Sequence, residues 1–311
     1  MEVGGTPQVG VVGLGRIGLG LVERLRKLEC EVLAFDRDPD RTAVLGGVGA
    51  RRADSLADVV DGTDRPRKVF LLVPAGAPVD TVVDELLRRL APGDLVADLG
   101  NSHPGDSVRR WAACREREVR FLDVGLSGGV RGAREGPCLV VGGAEEDFRA
   151  VEPLFRRIAV PGGLFYAGPP GWGHTVKVIH NGIEYGFMQA LGEGLHVLRT
   201  AAQRQGVSLD LAALCRVWAT GSIISSRLVE DAATAIELVG GGAWASGAVG
   251  GGETGQWAAR LAAEHGVPVP ALNAALRARA SSSEDPHFAV QLISAIRNVF
   301  GQHPPEAGRG E

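Results

Sequence analysis

The stretch QVGVVGLGRIGLGLVERLRKLECEVLAFD, residues 8–36, decides the fold of the first half of the chain. It opens with an apolar run, Val9 to Val12, and glycines follow at once in the pattern G-x-G-x-x-G. A helical pattern from about Ile17 to Leu28 comes next, and a second apolar run, Glu31 to Phe35, follows it. A strand, a glycine turn, a helix and a second strand predict a βαβ unit, the start of a doubly wound sheet.

The glycines and the acidic residue that ends this stretch predict a dinucleotide site. Gly13 allows the tight turn, Gly15 lets a pyrophosphate approach the backbone, and Gly18 lets the helix pack on the strand. Asp36 stands 18 residues past Gly18, where a carboxylate accepts hydrogen bonds from an adenosine ribose. A carboxylate repels the 2′-phosphate of NADP, so NAD is the predicted cofactor, while the neighbouring Arg37 leaves NADP open. The predicted cofactor contacts are Gly13, Gly15, Arg16, Ile17, Gly18, Asp36, Arg37, Val73, Pro74 and Asn101.

The rest of the first half keeps alternating short apolar runs with helical patterns. Apolar residues recur at helical spacing between Val79 and Leu90 and again between Phe148 and Ile158. Alternating strands and helices predict an α/β domain with a mainly parallel, doubly wound, Rossmann-type sheet, although a glycine turn in another α/β fold remains the alternative. Further strands are predicted at Lys68 to Val73, Leu95 to Asp98, Arg120 to Val124, Leu139 to Val141 and Leu164 to Tyr166.

The pattern changes after Tyr166. Gly168 to Gly173 is a Gly/Pro turn cluster, and helical periodicity with few strand signals follows it. We predict a dinucleotide-binding Rossmann domain over 1–166 and an all-helical domain for substrate binding and dimerisation over 167–311. The glycine-rich segment Val239 to Gly255 is predicted to be an irregular loop. Helices are predicted near His174 to Ala202, Leu209 to Trp218, Gln256 to His265, Pro270 to Ala280 and Phe288 to Phe300.

Composition and charge narrow the class of protein. Hydrophobic residues make up 45% and charged residues 23% of the 311 residues, which suits two globular domains and excludes wholesale disorder. A net charge of −4 lacks the positive field of a nucleic-acid binder. No signal peptide and no apolar run near the ~20 residues of a membrane span are found. We therefore expect a soluble cytoplasmic protein with no nucleic-acid or membrane partner.

Cysteine and histidine spacing gives no indication of a metal. The four cysteines lie far apart and form no zinc-type cluster, so we expect reduced thiols. The zinc-protease pattern H-E-x-x-H is absent from the sequence, and no metal site is predicted.

A second glycine-rich stretch, Gly125-Leu126-Ser127-Gly128-Gly129, formally matches the nucleophile elbow of α/β-hydrolases. An elbow needs a helix directly after the serine, and the four glycines between positions 128 and 136 are expected to prevent a good one. A Ser hydrolase built on Ser127 is therefore the less favoured alternative. The favoured interpretation is a glycine-lined wall that brings backbone N–H groups and the Ser127 hydroxyl to an anionic ligand.

The strongest chemical signal is K-V-I-H-N-G-I-E-Y at 177–185, in the first helix of the second half. One helix face would carry Lys177, His180, Asn181 and Glu184. Lys177 and Glu184 would lie about 10 Å apart along the axis, so a base and an acid could converge on a sugar-sized substrate. Only three of the 33 basic residues are lysines, and a lysine can act as a neutral base where an arginine cannot. The alternative is a solvated face with an incidental charge pair.

Five segments together resemble the 6-phosphogluconate dehydrogenase family in its shorter form, over nearly the whole chain. They are G-L-G-R-I-G at 13–18, G-N-S at 100–102, G-L-S-G-G-V-R-G-A-R-E-G-P-C-L at 125–139, K-V-I-H-N-G-I-E-Y at 177–185 and R-N-V-F-G-Q-H at 297–303. The resemblance implies oxidative decarboxylation of 6-phosphogluconate to ribulose 5-phosphate and CO2 with reduction of NAD(P). In that reaction Lys177 would take the proton of the substrate hydroxyl and Glu184 would protonate the enediol.

The same resemblance implies two groups of substrate contacts. Those around the sugar acid are Asn101, Ser127, Gly128, Gly129, His180 and Asn181. Those around the phosphate are Tyr185, Thr254, Arg279, Arg297 and His303. Because the last two would come from a partner subunit, the resemblance also implies a homodimer or homotetramer.

Departures from the family pattern leave the sugar acid open. Leu99 stands where the family usually has glycine, and Pro104 follows His103 where an aromatic residue is common. Gly252 replaces a phosphate-binding lysine of the longer forms. A β-hydroxyacid dehydrogenase acting on another aldonate, and a dinucleotide-binding protein without catalysis, are the remaining alternatives.

Overall fold

The computed structural model describes residues 6–240, 249–250 and 253–302. Contacts divide the chain into two compact units, with the boundary between Val178 and Ile179. The long helix α8 (Trp172–Gln205) begins in the first unit and ends in the second.

The first unit contains an eight-stranded sheet. Its strands are β1 (Gln8–Val12), β2 (Glu31–Phe35), β3 (Arg51–Arg52), β4 (Lys68–Leu71), β5 (Leu95–Asp98), β6 (Arg120–Ser127), β7 (Cys138–Gly143) and β8 (Leu164–Gly168). They lie in the order β3-β2-β1-β4-β5-β6-β7-β8, and every neighbouring pair is parallel except β6 with β7. The predicted Rossmann-type sheet is confirmed. The carboxyl ends of the neighbouring parallel strands β1, β4 and β5 lie side by side.

Helices cover both faces of this sheet. They are α1 (Arg16–Lys27), α2 (Pro39–Thr42), α3 (Leu56–Asp61), α4 (Ala77–Leu86), α5 (Pro104–Arg115), α6 (Gly129–Glu135), α7 (Glu145–Ile158) and the start of α8. Side chains alternate along a strand, so Phe70 enters one apolar cluster while Val69 and Leu71 enter the other. Strands buried on both faces explain the continuous apolar runs of the sequence.

Two strands differ from the prediction for identifiable reasons. Strand β3 was not predicted, because it consists of two exposed arginines and has no apolar signal. Strand β6 continues to Ser127 instead of ending at Val124, because Gly125 interrupts the apolar pattern without interrupting the ladder with β7.

The described residues of the second unit form helices joined by short loops, with no strand among them, which confirms the predicted helical C-terminal region. Besides the end of α8, it contains α9 (Leu211–Gly221), α10 (Arg227–Gly240), α11 (Glu253–Glu264), α12 (Pro270–Ala280) and α13 (Phe288–Gly301). Helix α10 was not predicted, although its apolar residues recur at helical spacing, as at Leu228, Ala232 and Ile236. Met188 and Leu195 of α8 share an apolar core with Val229 of α10 and Leu292 of α13.

Most of the predicted glycine-rich loop, Val239 to Gly255, lies outside the described residues. Its first two residues end α10 and its last three begin α11. In the part of the chain that the structure describes, no helix combines the length and the apolar character that crossing a membrane requires.

Candidate active site

The glycine loop between β1 and α1 leaves the N-terminus of α1 open. Gly13 has a φ of 96°, and a Cβ atom there would lie 2.5 Å from the Leu72 carbonyl oxygen, so only glycine fits. Gly15 precedes α1, and no side chain caps the helix there. A Cβ on Gly15 would meet, among the described residues, only Arg41 Nη1 at 3.9 Å. The N–H groups at this positive helix end suit a pyrophosphate, so the residues fit a dinucleotide such as NAD.

Asp36 is anchored to the same loop. Its carboxylate oxygens accept hydrogen bonds from the Leu14 N–H at 2.6 Å and from the Asp38 N–H at 2.9 Å. These bonds hold the carboxylate just after β2, where a ribose hydroxyl would bind. Arg41 Nη1 lies 3.7 Å from Asp36 Oδ2, whereas Arg37 is exposed. Sequence analysis missed Arg41, because no spacing rule links a residue of the short helix α2 to the end of β2.

Three loops pack side by side at the carboxyl ends of β1, β4 and β5. A Cβ on Gly13 would lie 3.1 Å from Val73 Cγ1, and a Cβ on Gly100 would lie 3.3 Å from the Val73 carbonyl oxygen. Val73 therefore lies between the glycine loop and the loop that carries Asn101. The structure brings together, at this edge, the three loops from which the sequence predicted cofactor contacts.

Strand β6 holds the start of α8 through alternating residues. Asp123, Gly125 and Ser127 point to one face of the sheet, because side chains alternate along a strand. The buried Asp123 carboxylate accepts hydrogen bonds from the N–H groups of Gly171, at 2.7 Å, and His174, at 2.8 Å. A negative charge thus caps the positive end of α8. Sequence analysis missed this role of Asp123.

Lys177 lies one turn further along α8, against the same strand. A Cβ on Gly125 would lie 2.7 Å from Lys177 Cβ and 3.0 Å from the Gly173 carbonyl oxygen. The helix can approach this closely only because position 125 has no side chain. Lys177 Nζ donates a hydrogen bond to Ser127 Oγ at 2.8 Å. Strand β6 therefore caps the helix, makes room for it and binds its lysine, with three residues on one face.

The expectation that the four glycines prevent a good helix after Ser127 was wrong, since a seven-residue helix follows. Helix α6 begins at Gly129, because Gly128 and Gly129 adopt φ values of 123° and 64° and turn the chain directly into it. A different observation argues against a nucleophile elbow. An elbow serine sits in a strained turn, whereas Ser127 ends a strand and has no positive φ, and its hydroxyl is bound by the Lys177 amine.

Next on α8, and within the second unit, three polar side chains lie together. His180 Nδ1 is 3.3 Å from Asn181 Oδ1 and 3.9 Å from Glu184 Oε2. The Glu184 side chain is 20% exposed and that of His180 51%, so the carboxyl group is the more buried of the pair. An imidazole next to a carboxyl group can orient it for proton transfer.

Three of the residues assigned to a phosphate also lie together in the second unit. Tyr185 Oη is 3.4 Å from Thr254 Oγ1, and the guanidinium carbon of Arg279 lies 4.1 Å from the centre of the Tyr185 ring. A guanidinium, a phenol and a hydroxyl in one cluster suit an oxyanion. Arg297 is partly buried on α13, and His303 lies outside the described residues.

We expect one fast-reacting thiol in the native protein. All four cysteines are free, and Cys138 is exposed. Burial raises the pKa of Cys30, that of Cys114 to about 12 and that of Cys215 to about 11. The thiolate is the reactive form, so titration with DTNB should show one fast thiol before unfolding and four afterwards. A fast phase that persists in Cys138→Ser would contradict the burial of the other three.

Among the described residues, no group of three or more His, Cys, Asp and Glu side chains could hold a metal ion. The candidate reactive groups are the Lys177 amine and Ser127 hydroxyl in the first unit, and the His180 imidazole and Glu184 carboxyl group in the second.

The chain is similar to known proteins over both units. The family model for the NAD binding domain of 6-phosphogluconate dehydrogenase matches residues 8–168, and that for the C-terminal domain of the same enzyme matches residues 173–203. A curated relative from Haloferax volcanii, named 6-phosphogluconate dehydrogenase, NAD(+)-dependent, decarboxylating, is 39% identical over 298 residues, which cover 95% of this chain and 97% of the relative.

Longer relatives match as well. The decarboxylating 6-phosphogluconate dehydrogenase of Synechococcus elongatus is 36% identical, and the match covers 89% of this chain but 62% of the relative. The solved structure of Plasmodium falciparum 6-phosphogluconate dehydrogenase superposes with a TM-score of 0.78 at 29% identity, covering 89% of this chain and 62% of that one. The motifs, the NAD-binding fold and these relatives agree: the chain belongs to the 6-phosphogluconate dehydrogenase family of NAD-dependent oxidoreductases.

Proposed function

We propose that this protein oxidises 6-phosphogluconate, or a closely related sugar acid, with NAD and releases ribulose 5-phosphate and CO2. The observation that carries the proposal is the 2.8 Å hydrogen bond from Lys177 Nζ to Ser127 Oγ. An amine, unlike a guanidinium, can act as a base once it is neutral, and this one lies at the glycine-lined end of β6. The name of the Haloferax volcanii relative, NAD(+)-dependent and decarboxylating, supports the same chemistry.

The proposed reaction uses Lys177 and Glu184 in turn. Neutral Lys177 accepts the proton of the substrate hydroxyl as the adjacent C–H bond breaks. When bound, NAD supplies the acceptor for the hydride of that bond. Glu184 then donates a proton to the enediol carbon that remains after the β-keto acid has lost its carboxylate as CO2. The His180 imidazole, 3.9 Å from the Glu184 carboxylate, would orient that acid.

The remaining predicted residues would hold the two ends of the substrate. We propose that the carboxylate and hydroxyls of the sugar acid bind Asn101, Ser127, Gly128, Gly129, His180 and Asn181. The phosphate would bind Tyr185, Thr254 and Arg279, whose clustering supports this role. The partner subunit's Arg297 and the partner subunit's His303 would complete that end in a homodimer or homotetramer.

A substrate panel tests the proposal. Aldonates and phospho-aldonates are each offered with NAD and with NADP, and reduced-nicotinamide absorbance and released CO2 are followed together. We expect kcat/KM for 6-phosphogluconate with NAD to exceed that of every other pair by about tenfold or more, because the Arg279 cluster binds the phosphate and Asp36 disfavours NADP. Reduction without CO2, or a higher kcat/KM for an unphosphorylated aldonate, would contradict the assignment.

A further inference from the structure

We propose that Arg110 is a positioning residue that holds two of the loops from which the sequence predicts cofactor contacts. These are the β4 loop, residues 72–76, and the β5 loop, residues 99–103. The inference deepens the proposed function, since it concerns how the same site is held in shape. Arg110 carries none of the chemistry and acts through the loops.

Arg110 lies on α5, and its side chain is 1% exposed. Its Nη2 donates a hydrogen bond to the Gly76 carbonyl oxygen of the β4 loop at 3.0 Å, and its Nη1 donates to Ser102 Oγ of the β5 loop at 2.9 Å. Its Nε donates to Asp80 Oδ1 on α4 at 2.7 Å. The three nitrogens of one guanidinium thus bind α4 and both loops.

A buried carboxylate shares this arrangement. Asp98, at the end of β5, is fully buried, and its Oδ2 lies 3.4 Å from Arg110 Nη1. The same carboxylate accepts hydrogen bonds from Ser102 Oγ at 2.6 Å and from the Gly100 N–H at 3.0 Å. The charge of Arg110 therefore compensates a carboxylate that itself holds the β5 loop.

The fork of an arginine is needed for these contacts. Lysine carries the same charge as a single ammonium group and cannot span Asp80, Gly76 and Ser102 at once. The two loops meet at Val73 and Gly100, so a displacement of either would move Val73, next to the glycine loop. Loops displaced by a fraction of an ångström should bind a rigid nicotinamide ring less tightly.

The chain contains a matched control at the opposite ends of the same two strands, β4 and β5. Arg67 Nη1 lies 3.1 Å from Asp94 Oδ2, and its Nε donates a hydrogen bond to the Val60 carbonyl oxygen at 2.7 Å. The Arg67 side chain is 13% exposed and that of Asp94 1%. This pair precedes β4 and β5, whereas Arg110 acts at their carboxyl ends. Loss of either pair should destabilise the unit, but only one adjoins the proposed cofactor loops.

The test compares Arg110→Lys, Arg67→Lys and Ser102→Ala in the full chain. NADH is titrated by its fluorescence to give Kd without substrate, and the melting temperature of each variant is recorded. We expect Arg110→Lys to raise the Kd of NADH about tenfold and Ser102→Ala about threefold. Arg67→Lys should lower the melting temperature and leave the Kd within about twofold of wild type.

Two outcomes would overturn the inference. One is an unchanged Kd of NADH in Arg110→Lys. The other is a rise of this Kd in Arg67→Lys that equals the rise in Arg110→Lys, when the two variants have similar melting temperatures. If Arg110→Lys does not fold, Ser102→Ala decides, because it removes the hydroxyl that joins the β5 loop to the Arg110–Asp98 pair. A wrong sugar acid in the proposed function would leave this NADH measurement intact, so the two failures are distinguishable.

Discussion

Replacing Lys177 by arginine should lower kcat about 10³-fold while the Kd of NADH stays within about twofold of wild type. The Lys177 amine is hydrogen-bonded to Ser127 at 2.8 Å, beside the carboxyl-end loops of the sheet. An arginine there keeps the positive charge and a long side chain, but its guanidinium does not lose a proton at working pH. The variant would therefore separate electrostatic binding of an anionic substrate from removal of its hydroxyl proton.

Lys68 provides the control for this variant. It is another of the three lysines, and burial lowers the pKa of its amine, as does the nearby Arg120. It lies at the first residue of β4, however, at the amino end of the sheet. Lys68→Arg should keep kcat within about twofold of wild type. A Lys177→Arg variant that kept more than about a tenth of the wild-type kcat would exclude Lys177 as the base.

The sheet could be predicted because its central strands are buried on both faces. β1, β4 and β5 each appear in the sequence as a short apolar run, and all three were found within two residues of their ends. β3 is too short and too exposed to leave such a signal. In the second unit α10 was missed, although its apolar residues from Leu228 to Val239 recur at helical spacing.

The candidate reactive groups could be proposed from the sequence, but the contacts that hold them could not. Lys177 and Ser127 each stood out in a motif, yet nothing in their spacing required the two side chains to meet, since 50 residues separate them. Arg110 binds Asp80, which lies 30 residues away in the sequence. The two residues meet because of the tertiary fold, which the sequence pattern does not describe in that detail. Long-range polar contacts of this kind follow from the packing of elements, which periodicity does not describe.

One signal for Asp123 was present in the sequence and was not used. A charged residue inside the apolar run F-L-D-V is costly to bury unless several donors satisfy it. In the structure, those donors are the N–H groups of Gly171, just before α8, and of His174 in its first turn. The charged residue in this run therefore indicated that backbone or side-chain donors from another element would meet β6 there.

The close fit of α8 on β6 leads to a second large effect, in Gly125→Ala. The new Cβ would lie 2.7 Å from Lys177 Cβ and 3.0 Å from the Gly173 carbonyl oxygen. Neither contact can be relieved by rotating the end of a side chain, so the start of α8 must move away from the strand. Overpacking of this kind costs about 1–3 kcal/mol of stability. Because Lys177 moves with the helix, kcat should fall about 10²-fold.

Gly62→Ala is the matched control, because it produces a similar clash far from the helix. A Cβ on Gly62 would lie 2.5 Å from Leu33 Cδ2 and 2.8 Å from the Asp58 carbonyl oxygen, in the turn before β4. Both variants should have a lower melting temperature than wild type. Only Gly125→Ala should have a lower kcat per folded molecule, and the Kd of NADH should be unchanged in each. If kcat were equal in the two variants, the position of Lys177 against β6 would not limit the reaction. A loss of kcat confined to Gly125→Ala would show that Gly125 is needed because it lets Lys177 lie close to β6.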